Sequence, residues 1–193
     1  EANGLSDSMH ALVSGIDDLS RWSADTFDGI ISAFAALNTL PDLGSFAEQA
    51  SEILKPEGRI ILHMLNRSNI WGQIRYMRAG RWSEARRLPR VGRRDFSVGR
   101  HPLVHYLWSA QETYRKFFAD HFWLQQWFGM AVLRPLELPP SVPRWILQSL
   151  SWLDDHLGWY PPFRSHGKFF VLEMRPKATA GTAAARRTSN QIE

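Results

Sequence analysis

The sequence predicts an α/β protein built on an open, largely parallel sheet, and three observations carry that expectation. Short apolar runs with β-branched content at residues 12–16, 27–34 and 59–65 are bounded by polar or glycine punctuation, as strands buried on both faces are. Between the last two lies an amphipathic helical pattern, and strand, helix and strand in that order form a right-handed crossover unit. Later apolar stretches at 122–133 and 169–174 read as further strands, separated by helical segments.

Element by element, Asp42 is placed to cap a helix in which Leu43, Phe46, Ala47, Ala50, Ile53 and Leu54 recur at helical spacing, stopped at Lys55-Pro56-Glu57-Gly58. Residues 69–80 form a second amphipathic helix, with Ile70, Trp71, Ile74 and Met77 on one side. A basic loop follows. Ser109-Ala-Gln-Glu112 has the form of a capping box and opens a helix through Phe118. Prolines at 135, 139, 140 and 143 interrupt the pattern, after which residues 143–157 form a helix with Trp145, Ile146, Leu150 and Leu153 as its apolar stripe. Residues 177–193 are rich in alanine, threonine and polar residues and read as a disordered tail.

Composition narrows the function. At 193 residues and 44% apolar content the chain can bury a substantial core as one domain. No apolar run approaches the roughly 20 residues of a membrane-spanning helix, and residues 1–12 lack the basic start and apolar centre of a signal peptide, so a cytoplasmic location is expected. Cysteine is absent, which excludes disulfides, thiolate metal sites and a cysteine nucleophile. The seven histidines show no His-Glu-x-x-His pattern, so no metal site is expected, and His63 reads as a hydrogen-bonded core residue. The net charge of +4 is unevenly placed: ten arginines between Arg67 and Arg100 face only Glu84 and Asp95. Such a segment suits phosphate, an anionic substrate or an acidic membrane surface. Basic and aromatic residues interleave there without a base-reading motif, so no nucleic-acid partner is expected.

Phe27-Asp-Gly-Ile-Ile-Ser-Ala-Phe34, then Leu37-Asn-Thr-Leu-Pro-Asp-Leu43 and Lys55-Pro-Glu-Gly58 before a strand, resemble the second half of a class I S-adenosylmethionine-dependent methyltransferase. The resemblance spans most of residues 11–175. It implies an incomplete Rossmann-like sheet with a helical, arginine- and tryptophan-rich cap insert, S-adenosylmethionine as cofactor, and methyl transfer to a small, apolar or lipid-like acceptor. The family's glycine-rich loop has no counterpart upstream, so the chain is expected to be truncated before the first cofactor motif. The corresponding division is residues 1–66 for the sheet remnant, 67–168 for the cap with a late strand, 169–176 for the last strand, and 177–193 for the tail.

The resemblance also implies the site. Gly15, Ile16 and Asp17 match the acidic loop that contacts the adenine, with a solvated turn as the competing reading. Ser32, Ala33 and Phe34 end the strand that lines the ribose and sulfonium region, where small residues would equally suit tight packing. Asn38 is implied to face the methyl-transfer region and position a substrate hydroxyl or amine, against an Asx-turn that merely closes the loop. Tyr106 is implied as a substrate-side hydrogen-bonding group or base, against simple burial of its ring in the cap. Two further expectations stand beside the enzyme. A non-catalytic scaffold or homodimer would cover the open apolar edge left by a missing neighbour of strand 27–34. Peripheral membrane contact would run through residues 71–100.

Overall fold

The computed structural model describes residues 12–16, 18–98, 100–134 and 142–177. Six strands and five α-helices are seen among these. The main sheet has four strands in the order β1-β2-β6-β5, from β1 (Phe27–Ser32), β2 (Leu54–Leu65), β6 (Phe169–Pro176) and β5 (Phe122–Met130). β1 and β2 are parallel, joined through α1 (Gly44–Ile53), and β6 runs antiparallel to both of its neighbours. The sheet is thus mixed, with one reversed strand between two that run together.

The crossover forms because α1 presents Phe46, Ala47, Ala50 and Ile53 on one face, and all are buried. Phe46, Ala47 and Ala50 join one core with Ile60, Leu62 and Met64 of β2 and Phe170, Leu172 and Met174 of β6, the alternate residues that share one side of the sheet. Asp42 caps the start of α1 from outside, its carboxylate accepting from the Gly44 N–H at 2.8 Å. Strand β2 begins earlier than the sequence suggests: Leu54 directly follows α1 and pairs with Phe27, ahead of a register shift before Gly29.

Ser109 and Glu112 form the expected capping box at α4 (Ala110–Thr113). The helix then continues as a π-helical turn, Tyr114–Phe118, which buries Phe117 and Phe118 and leaves Arg115 and Lys116 exposed. The basic stretch expected to be a loop is ordered. After α2 (Ile70–Arg78), ended by Gly80 at φ +72°, come a short helix, α3 (Trp82–Arg87), and an antiparallel hairpin of β3 (Arg93–Val98) and β4 (His101–Tyr106). This stretch is therefore built of helices and a hairpin rather than of helices alone.

Three expectations are corrected. Residues 12–16 form no strand: Leu12 and Val13 are exposed, and no neighbour strand offers them a ladder. Strand β1 is not buried on both faces, since Ile31 is 75% exposed; among the described residues it is an edge strand, as the open-edge reading expects. Trp145 does not join the buried stripe of α5 (Arg144–Leu157) but is exposed, while Ile146, Leu150 and Leu153 are half-buried.

That helix is held mainly at its C-terminal end. The Asp154 carboxylate accepts from the backbone N–H groups of Val132, Leu133 and Arg134 at 3.1, 2.6 and 3.0 Å. Just beyond, Gly158 lies so close to Gly129 that a Cβ would meet the Gly129 carbonyl at 2.4 Å. Lys177, assigned to the tail, is tied in: its N–H donates to His121 and its ammonium to the Ala119 carbonyl. The rest of the tail lies outside the described residues.

Candidate active site

The carboxyl ends of the parallel strands are where ligands sit on an open α/β sheet. Here β1 ends in an unusual turn. Phe34 and Ala35 both adopt left-handed backbone, at φ 55° and 60°, in consecutive non-glycine residues. Such conformations are costly for L-residues and cluster at functional sites. Phe34 projects its ring into solvent at 92% exposure, whereas Ala35 is buried. Ser32, the last residue of β1, has a buried hydroxyl with no hydrogen-bond partner. Ala33 beside it is exposed.

His63 of β2 supports this turn. Its Nδ1 accepts from the Phe34 N–H at 3.2 Å, and its carbonyl accepts from the Ala35 N–H at 3.2 Å. The ring lies 4.6 Å from that of Phe169. Burial pushes the His63 pKa down, which favours the neutral ring that can accept at Nδ1. The sequence reading of His63 as a hydrogen-bonded residue agrees with this geometry, although what it holds is the strained turn.

Asn38 is fully buried, and its amide is spent on the backbone. Nδ2 donates to the Tyr106 carbonyl at 2.7 Å and to the Leu65 carbonyl at 3.4 Å, while Oδ1 accepts from the Leu65 N–H at 2.9 Å. The side chain thus closes no Asx-turn on its own loop. It pins the root of the hairpin to the end of β2, and both amide hydrogens are engaged there.

A second pin lies alongside, where Asn66 and Trp108 form a bridge and the Arg67 N–H donates to the Trp108 carbonyl at 3.1 Å. Tyr106 is half-buried and stacks near Trp108, with ring centroids 6.4 Å apart and planes 21° from parallel. Arg67, Trp108, Gln111, Glu112, Arg115 and Lys116 line an open groove of about 470 Å³ at this end of β2. Arg67 pairs with Glu112 at 2.6 Å. Glu112 feels opposing influences, burial raising its pKa and the Ser109 and Arg67 contacts lowering it, and the net direction is down. The groove therefore holds three cations against one carboxylate that is already engaged.

The structure brings Ser32, Ala33, Phe34, Asn38 and Tyr106 to one edge of the sheet. Gly15 and Ile16 are different: Gly15 is exposed in a turn in which the Asp18 N–H donates to its carbonyl, and the loop is tied to α1 through the Leu19 N–H and Gln49. Among the described residues no hydrogen bond joins that turn to Ser32 or Phe34. Asp17 lies outside the described residues. Arg67 reads from the sequence as a strand-end residue and Trp108 as one of the tryptophans that could line an apolar pocket, but their bridge is not legible there, because it spans a segment whose hairpin has no Asn-Gly or Asp-Gly turn signal.

No protein-family model matches the sequence, and no curated protein sequence matches it. The likeness lies in solved structures. An S-adenosylmethionine-dependent methyltransferase from Listeria monocytogenes superposes with a TM-score of 0.52 at 11% identity, covering 85% of this chain and 67% of that one. A methyltransferase of Haloferax volcanii, solved in complex with the Trm112 activator, gives 0.47 at 19% identity, over 87% of this chain and 61% of that one. One from Mesorhizobium loti gives 0.47 at 10% identity, over 84% and 67%. The chain spans about two thirds of the length of these structures. The Listeria superposition carries the conclusion on fold: this is a class I methyltransferase-like fold, an α/β sheet of parallel strands with one reversed.

Proposed function

We propose that this chain takes part in S-adenosylmethionine-dependent methyl transfer to a small acceptor with an apolar or lipid-like body. One observation supports this above the others: the buried hydroxyl of Ser32, without a partner, ends β1 one residue before two left-handed residues. A buried unpaired hydroxyl is costly, and it is placed where a ligand polar group would satisfy it. The adjoining Ala33 is small and exposed, so a ligand can approach the backbone there. Phe34 offers an exposed aromatic face to the same place.

S-adenosylmethionine would supply an activated methyl group. In this reading Ser32, Ala33 and Phe34 contact it, with Gly15, Ile16 and Asp17 as the outlying adenine-side loop. An in-line methyl displacement needs positioning more than acid or base strength. Asn38 serves by fixing the Tyr106 backbone against the end of β2, and so acts as a positioning residue. The Tyr106 hydroxyl faces the acceptor as hydrogen-bonding group or base, and the Trp108 groove holds the acceptor's body. The open β1 edge is where further strands of such a sheet would add. The same edge prompted the scaffold reading, but a scaffold needs neither the unpartnered hydroxyl nor the strained turn.

Calorimetric titration with S-adenosylmethionine tests this. Saturable heat is expected from the chain, with affinity reduced at least about tenfold by Ser32→Ala, which removes the hydroxyl. Absence of heat at millimolar cofactor would remove the cofactor reading. For location, no described helix is long and apolar enough to cross a membrane. Peripheral contact through residues 71–100 is supported by the exposed Trp82 and Phe96 among arginines. Cosedimentation with anionic vesicles that does not weaken with salt would count against its electrostatic form.

A further inference from the structure

The arginine-rich hairpin contains one arginine unlike the rest. Most of its neighbours are exposed, but Arg94 is partly buried, and its Nε and Nη2 are shut off from solvent with no hydrogen-bond partner. A guanidinium stays ionised in proteins, so this is a cation with two desolvated donors and no counter-charge on them, an unfavourable state unless something accepts their protons. Both carboxylates of the segment are turned to other arginines. Asp95 approaches Arg93 at 4.0 Å with its side chain 88% exposed, and Glu84 pairs with Arg81 at 3.0 Å.

Pairing in the hairpin fixes what surrounds it. Arg94 lies opposite His105 and Phe96 opposite Leu103, so these four share one face of the ribbon. Phe96 stacks on His105 with centroids 5.0 Å apart, an apolar wall beside the guanidinium. The site lies one register position from Tyr106, whose carbonyl Asn38 pins to the sheet edge.

We infer that Arg94, beside the stacked Phe96 and His105, forms an oxyanion subsite on the hairpin that takes a carboxylate or phosphate group. The guanidinium fork matches two oxygens of either group at once. The anion site does not depend on the proposed methyl transfer.

The test is thermal unfolding of the full chain in sodium phosphate, sodium acetate and sodium chloride at matched ionic strength and pH, for wild type, Arg94→Met and Arg94→Lys. Wild type should gain about 2–5 °C in one of the two oxyanions over chloride. Phosphate or acetate as the stabilising salt tells the two groups apart. Arg94→Met should lose that gain yet melt no lower than wild type in chloride, because it removes an unpaired cation. Arg94→Lys should keep part of the gain. An oxyanion gain that is absent from wild type, one that survives in Arg94→Met, or an Arg94→Met midpoint below wild type in chloride overturns the subsite. A positive oxyanion result without heat from S-adenosylmethionine would leave the subsite standing and remove methyl transfer. The converse would do the reverse.

Discussion

Replacing Asn38 by alanine should be among the most damaging single changes available outside the apolar core. The variant removes the donor to the Tyr106 carbonyl at 2.7 Å and the acceptor for the Leu65 N–H at 2.9 Å, at a fully buried position. Each backbone group left unpaired out of water costs about 1–3 kcal/mol, so the two together cost about 4 kcal/mol, before any contribution from the void. For a chain of this size that corresponds to a fall in melting temperature of roughly 8–16 °C. Asn38→Asp separates the two bonds. It keeps the acceptor for Leu65 but sets a carboxylate oxygen against the Tyr106 carbonyl. Its folded-state pKa should therefore be raised, and stability should recover as pH falls through that value. Differential scanning calorimetry across pH, with amide exchange at Leu65 and Leu107, is the assay. A loss below about 1 kcal/mol for Asn38→Ala, or an Asn38→Asp variant indifferent to pH, would refute the claim that this amide pins the hairpin to the sheet.

Acid should loosen the turn after β1. The folded-state pKa of His63 is lowered by burial, so its contribution is fully present above its ordinary value near 6.5 and is lost as pH falls through and below it. His105 is shifted the same way by burial, so a histidine-resolved NMR titration must assign the loss. Retention of the Phe34 N–H protection at pH 5 would contradict the His63 reading. Phe34→Gly should stabilise the fold by about 1 kcal/mol, since glycine takes positive φ without strain, while weakening S-adenosylmethionine binding; urea unfolding beside calorimetric titration reads both effects. Gly158→Ala should cost more than about 2 kcal/mol, because its methyl would strike the Gly129 carbonyl, and a near-neutral result in urea unfolding would show that the backbone gives way there. Asp154→Ala should release α5, seen as faster amide exchange at Val132 and Leu133, with the exchange of β2 unchanged.

The crossover β1-α1-β2 was legible because its helix has a single apolar stripe and its strands have β-branched runs, signals that local sequence contains. The capping box at Ser109 was legible for the same reason. Residues 12–16 misled because an apolar run says that burial is favourable, not that a partner strand is present to accept its backbone. Strand β3 was hidden by Arg93 and Arg94, which obscure the alternation that marks a strand, whereas the segment with His101 and His105 reads as extended. Asn38 was visible as a candidate within a motif, but its role was not. Whether an amide faces a ligand or two backbone groups depends on where Tyr106 lies, 68 residues away. Phe34 drew notice only through resemblance, because nothing in the residues Ser-Ala-Phe-Ala announces two successive left-handed conformations.

The reversed strand β6 has a consequence for how the chain reaches its native state. Both of its neighbours, β2 and β5, come earlier in sequence, and contacts such as Arg59 with Glu173 join residues 114 positions apart. During synthesis, β2 and β5 must wait with exposed ladders until the residues after 168 leave the ribosome. Closure of such distant pairs makes folding slow and leaves strand edges exposed meanwhile. A nascent chain halted before Phe169 should therefore recruit holding chaperones, and one released after Pro176 should not.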